Sequence, residues 1–197
     1  MAKRVMNWAT AGVIISRSYK CGHCGEHIAE QTGFQTQPAG SQQLAQIYIC
    51  HFCKNPTYFD PDGVQVPGPL QGRDIDEIDR PDVRKLYDEA RRCLSSNCFT
   101  GSVLCSRKLL MNIAVSKKAS EGLSFVDYVD YLAKNHYTPP DSEEWVDHIR
   151  QKGNDATHEI KEPSADDARD LITFLEMLLI FIYELPARMR KKDAPTT

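Results

Sequence analysis

Two Cys-x-x-Cys knuckles near the N-terminus constrain this chain more than any other feature. Cys21-Gly22-His23-Cys24 and Cys50-His51-Phe52-Cys53 are separated by residues 25–49. A C-x-x-C turn places two thiolates on one side of a tight loop. Two such loops joined by short strands complete a tetrahedral shell of four sulfurs, the preference of Zn²⁺. Cys21, Cys24, Cys50 and Cys53 are therefore the expected ligands of a structural zinc ion. A redox C-x-x-C calls for one pair after a βαβ pattern, and disulfides call for an oxidising compartment. His23, His27 and His51 crowd the knuckles and rank below the cysteines as ligands. Four protein ligands leave no coordination position open, so the metal is expected to hold the fold and to do no chemistry.

Charge narrows what the chain can bind. The net charge is −3, and residues 1–70 carry five Lys/Arg against four Asp/Glu while the remainder carries 19 against 23. No global basic field draws the chain onto nucleic acid, so any such binding must rest on a local patch. The run Val13-Ile14-Ile15 is shorter than the roughly 7–15 apolar residues of a secretion signal. The most apolar stretch, Met177 to Tyr183, falls far short of the ~20 residues that span a bilayer. Seven cysteines without a signal predict a reducing, cytoplasmic location and no membrane partner.

Strand composition is confined to the first third. Val13 to Ser16, Ala45 to Ile49 and Thr57 to Phe59 have the β-branched and aromatic content of short strands. Gln31 to Gln43 is rich in Gln and Gly and reads as a loop or hairpin tip. Asp60 to Pro69 (DPDGVQVPGP) is turn after turn and marks a boundary. The expected organisation is a zinc-ribbon domain over 1–62, a linker over 63–79, a helical bundle over 80–187 and a basic tail over 188–197.

From Arg80 the apolar period becomes helical. Pro81 suits a first helical turn, and Val83, Leu86, Tyr87, Ala90 and Leu94 follow on one face. Gly101 to Lys118 is apolar almost all round and belongs in the centre of a bundle. Ser124 with Asp127, Asp141 with Glu144 and Ser164 with Asp167 resemble capping boxes for three further helices. The last of these is expected to stop near Leu185, before Pro186. Cys93, Cys98 and Cys105 show no metal-ligand spacing and read as small hydrophobes. The fold class is α+β: a small β zinc ribbon followed by an all-α bundle.

The helical part carries Glu89-Ala90, Arg107-Lys108-Leu109-Leu110 and the segment Ile149-Arg150-Gln151-Lys152-Gly153-Asn154-Asp155-Ala156-Thr157-His158. Over roughly residues 80–186 this resembles the domain of unknown function 4145 family, and the cysteine pairs resemble members with an N-terminal zinc ribbon. That family looks related to the HEPN superfamily of helical bundles. The resemblance implies a HEPN-like bundle that pairs as a homodimer. Many HEPN proteins are metal-independent ribonucleases of toxin and phage-defence systems, and others only bind nucleotides or partners.

In HEPN ribonucleases an Arg shortly precedes a His, often with a polar residue directly after the Arg. His158 matches the His and Asn154 the polar residue, but Gly153 stands where the Arg belongs; Arg150 and Lys152 are the nearest cations. Such a His would serve as general base or acid on a ribose, with the cation stabilising the phosphorane. Arg107, in an apolar helix, is a further candidate ligand-binding residue and needs a partner such as Glu89 or Asp155. The structural alternative is equally concrete: Gly153-Asn154 is good helix-end chemistry, and His158 can tie two core helices together. No P-loop, dinucleotide glycine motif, nucleophile elbow or metalloprotease helix occurs. Two readings follow. In the first, the chain is a zinc-binding, non-catalytic adaptor for a protein or nucleic-acid partner, linked to prokaryotic defence. In the second, it is a HEPN-like ribonuclease in which a homodimer brings two His158 side chains together.

Overall fold

The computed structural model describes residues 10–36, 44–139, 142, 144–149 and 162–193. The chain divides into two compact units, Met1–Gln71 with Ser95–Asn97, and Gly72–Leu94 with Cys98–Thr197.

The first unit is an antiparallel meander of β1 (Gly12–Lys20), β2 (His27–Gln35), β3 (Gln46–Ile49), β4 (Pro56–Phe59) and β5 (Gln65–Val66) in sequence order. The cysteine knuckles are two of the turns of this meander, between β1 and β2 and between β3 and β4. Lys20 pairs with His27 at the mouth of the first, and Ile49 with Pro56 at the mouth of the second. Alternation along the strands sends Tyr19, Ile28, Tyr48 and Phe59 into a small core beside Cys21 and Cys50. The three rings meet pairwise with centroids 5.2–5.9 Å apart, two of the contacts edge-on. Tyr48 donates its hydroxyl to the Ile15 carbonyl at 2.7 Å, and the Arg17 guanidinium lies 4.3 Å over Phe59.

Residues 31–35, expected in a loop, instead complete β2. Their pairing with β1 and β3 outweighs the Gln content, which suits an exposed strand face as well as a turn. Gly33 explains why the strands approach so closely there, since a Cβ would lie 1.9 Å from the Ile47 carbonyl oxygen. The stretch 63–79, read as a linker, contains β5 and three buried side chains, Leu70, Ile75 and Ile78.

The second unit is helical: α1 (Pro81–Ser95), α2 (Phe99–Ser116), α3 (Phe125–Lys134), a helical stretch at 144–149, α4 (Ala165–Leu179) and α5 (Leu185–Asp193). Helix α2 packs on both α3 and α4. Its buried face of Val103, Leu109, Leu110, Ile113 and Ala114 meets Val129, Leu132, Leu171, Leu175 and Leu178 in one core. Each of the Val, Leu and Ile side chains among them contributes about 1.5–3 kcal/mol on full burial. Ser124 and Ser164 form the expected capping boxes with Asp127 and Asp167. Asp141 lies outside the described residues.

The final helix does not stop before Pro186. A π-helical turn, Ile180–Glu184, carries α4 into α5, which places Pro186 near the start of a new α-helical segment. Proline removes one backbone donor and crowds the carbonyl four residues back, and a wider turn just before it relieves both. The turn also buries Glu184, which accepts from Arg73 at 2.9 Å and pairs with Arg188 at 2.6 Å. No helix among the described residues is long and apolar enough to cross a membrane.

Candidate metal centre

The two knuckles share one backbone plan. Cys21 N–H donates to the Glu26 carbonyl at 2.9 Å, and Gly25 N–H donates to the Cys21 carbonyl at 3.0 Å. The second knuckle repeats both bonds, from Cys50 N–H to Asn55 at 3.1 Å and from Lys54 N–H to Cys50 at 2.8 Å. The residue after each second cysteine turns left-handed, Gly25 at φ 79° and Lys54 at φ 61°. Glycine takes this conformation freely, whereas a side chain there costs about 1–2 kcal/mol. Gly22 lets the first knuckle lie against the strap after β5: a Cβ would sit 2.5 Å from the carbonyl oxygens of Pro67 and Gly68.

These loops bring Cys21, Cys24, Cys50 and Cys53 together, with all four Sγ atoms within 4.8 Å of one another. Sγ of Cys21 lies 3.8 Å from that of Cys53, and Sγ of Cys24 lies 3.8 Å from that of Cys50. Cys21 and Cys50 are buried, and Cys24 and Cys53 are partly so. Burial pushes the Cys24 and Cys50 thiols up. At Cys53 burial acts in the same sense, but hydrogen bonds from Asn55 and from the neighbouring thiols outweigh it and bring that thiol down. Four thiols so placed could hold a metal ion.

The knuckle histidines are engaged elsewhere. His23 Nε2 donates to the Pro56 carbonyl at 2.9 Å, and His51 Nδ1 donates to Glu30 at 3.1 Å. Glu30 is buried in β2 and also accepts the backbone N–H groups of Gln31 and Thr32, each at 2.9 Å. Burial works to raise its carboxyl, yet the Thr32 and Gln31 amides and His51 prevail and hold it below the usual glutamate value. Sequence spacing gave no sign of this buried carboxylate, because its partners come from its own strand and from the opposite knuckle.

In the helical unit Arg107 is half-buried on α2, with its Cζ 4.3 Å over the Phe125 ring. Burial lowers its pKa, and its Nη1 is buried with no hydrogen-bond partner among the described residues. Of the two partners its sequence context offers, Glu89 forms no ion pair with it among the described residues and Asp155 lies outside them; the Phe125 ring lies against its guanidinium. Arg150, Lys152, Gly153, Asn154, Asp155 and His158 lie outside the described residues.

The model of one family, the Domain of unknown function (DUF4145), matches residues 88–194, more than half of the chain. The chain belongs to the DUF4145 family. Comparison with curated proteins and with solved structures finds no match. The match begins within α1 and takes in α2 to α5 of the DUF4145 domain, while the four clustered cysteines precede it.

In the helical unit, Arg80 and Asp82, which precede the matched DUF4145 segment, join Lys108, Asn112, Glu121 and Tyr128 in lining a cavity of about 440 Å³. Arg80 is bonded there to Asp82 at 2.5 Å, so part of its charge is already matched. Cys93, Cys98 and Cys105, read from the sequence as small hydrophobes, are neighbours in space.

Proposed function

We propose that this chain is a zinc-stabilised, non-catalytic adaptor that docks a protein partner. The closed four-thiol shell carries the reading. Thiolates about 2.3 Å from Zn²⁺ in a regular tetrahedron stand about 3.8 Å apart, and two of the sulfur–sulfur distances here are 3.8 Å. All-thiolate tetrahedral sites select zinc or iron–sulfur chemistry, and two C-x-x-C turns on a small sheet suit a single zinc ion. When bound, the ion crosslinks the β1–β2 and β3–β4 turns. With four protein ligands it offers no position to a substrate, and the reading assigns it to the fold.

Two features favour a protein partner over nucleic acid. The first is that several of the described basic side chains are already paired with carboxylates. Arg73, Arg80, Arg84, Arg169 and Arg188 are each within 4.0 Å of a carboxylate, and Lys191 pairs with Glu77. Phosphate binding draws on uncommitted cations. The second is apolar exposure on the ribbon, where Val13 is 80% and Ile15 71% exposed, and Tyr58 and Val66 face solvent as a cross-strand pair. Apolar side chains of this kind suit a protein surface.

The test combines metal analysis of the purified chain with incubation of a mixed RNA pool, without added metal, by wild type and His158→Ala. One zinc per chain with intact RNA supports the adaptor. Cleavage that leaves cyclic phosphate ends and disappears in His158→Ala would overturn it in favour of a HEPN-like ribonuclease.

A further inference from the structure

Helix α1 ends in a cap that places two thiols side by side. Asn97 is left-handed at φ 58°, and the Cys98 N–H reaches back to the Cys93 carbonyl at 2.8 Å. This is the six-to-one bond of a Schellman cap, with Asn97 as its left-handed residue. In that motif the side chains at the two ends of the bond touch, usually as a hydrophobic contact; here both are cysteines. Their thiols are in side-chain contact, and the Cys93 thiol also meets that of Cys105 one helix along. Gly101 makes the room. A Cβ on it would lie 2.8 Å from Sγ of Cys98 and 3.2 Å from Sγ of Cys93. Cys98 is exposed and Cys93 is half-buried behind it.

We propose that Cys93 and Cys98 form a reversible disulfide across the C-terminal cap of α1, made by exchange with a low-molecular-weight disulfide that enters at Cys98. The thiolate of Cys98 attacks one sulfur of the incoming disulfide, forming a mixed disulfide and releasing one small thiolate. Cys93 then loses its proton and attacks the Cys98 sulfur, expelling the second small thiolate. Two protein thiols and one small disulfide become one protein disulfide and two small thiols, and an excess of small thiol reverses both steps. The order of attack follows from exposure. Burial, with the neighbouring Cys105 and Cys98, pushes Cys93 up to about 11, so at neutral pH it stays protonated and the solvent-facing Cys98 is the point of entry. The cap already holds the two backbones by a hydrogen bond and keeps the two thiols in side-chain contact, which favours closure. The shell of Cys21, Cys24, Cys50 and Cys53 lies in the other unit and takes no part in this reaction.

The experiment exposes the intact metal-loaded chain to oxidised glutathione and maps cysteine-containing peptides by mass spectrometry without reduction. Cleavage after Phe99 separates Cys105 from the pair. The wild type and Cys105→Ser are expected to lose two hydrogens in the peptide holding Cys93 and Cys98, and to recover them in excess reduced glutathione. Cys93→Ala should instead retain glutathione on Cys98, and Cys98→Ala should react at least tenfold more slowly. A wild type that accumulates a stable glutathione adduct on Cys98, that crosslinks to Cys105, or that stays fully reduced would overturn the proposal. Far-UV circular dichroism of each variant verifies that the helices are formed before the result is read.

Discussion

Nδ1 of His51 donates to the buried Glu30 carboxylate at 3.1 Å, tying the second cysteine knuckle to the middle of β2. The bond runs between a loop that carries two of the four clustered thiols and a strand that leaves the loop carrying the other two. It therefore fixes one half of the shell relative to the other. Groups that orient a metal's surroundings without touching it typically change affinity by about 10–100-fold when removed. Because His51 is not itself one of the four thiols, Glu30→Ala is expected at the low end, about tenfold weaker retention of a bound metal ion in competition with a chelator. Unchanged retention would mean that the knuckles are held by their backbone bonds alone.

Metal removal has a larger effect. Structural zinc supplies about 10–16 kcal/mol of apparent binding free energy in finger-sized domains, more than a five-stranded sheet with four core side chains can replace. Chelation, or Cys53→Ser, should abolish the near-ultraviolet dichroism of Tyr19 and Tyr48 while the helical far-ultraviolet signal persists. Retention of the tyrosine signal after complete metal removal would show that the sheet stands without it.

The left-handed residue after each knuckle offers a test in the opposite direction. Lys54 adopts φ 61° where its counterpart is Gly25. Lys54→Gly removes the steric cost of a Cβ, about 1–2 kcal/mol, but adds freedom to the unfolded chain, about 0.5–1 kcal/mol. The net expectation is stabilisation of the metal-loaded ribbon by about 0.5–1 kcal/mol in denaturant melts. Gly33→Ala should be severe by comparison, since its Cβ meets a carbonyl oxygen at 1.9 Å and β2 and β3 must part. A Gly33→Ala protein with the wild-type melting curve would contradict that close approach.

Glu184 provides the pH dependence of the helical unit. Burial alone would raise its carboxyl, but Arg73 and Arg188 together hold it below the ordinary glutamate value. A folded-state pKa below the unfolded one contributes stability at neutral pH, and that stability is lost as pH falls from the ordinary value through the folded one. Both arginines are largely exposed, so solvent screens the pairs and the contribution is modest, about 1 kcal/mol. Glu184→Gln should lower the melting temperature at pH 7 and flatten its decline in acid. Parallel acid limbs for the two proteins would place the titration elsewhere.

Features carried by a few neighbouring residues were legible in the sequence. The quartet Cys21, Cys24, Cys50 and Cys53 is visible because a C-x-x-C turn presents two thiols whatever surrounds it. The caps at Ser124 and Ser164 are visible because a capping box needs only residues three apart. Gln31 to Gln35 misled because its side chains suit a loop, while its backbone is claimed by strands on both sides. Pro186 misled for a related reason: alone it ends a helix, but a π turn before it lets the helix resume.

What the sequence by itself determined is thus the pair of cysteine knuckles, the division into a small sheet and a helical part, and most helix starts. Each rests on periodicity or on contacts within a turn. Only the tertiary structure decided that Glu30 would be buried against His51, that Arg107 would lie over Phe125, and that Cys93 and Cys98 would share a cap beside Cys105. Those pairings depend on which elements pack together and on where the chain turns left-handed at Asn97. Such contacts are settled by the free energy of the whole core, and a local spacing rule has no access to it.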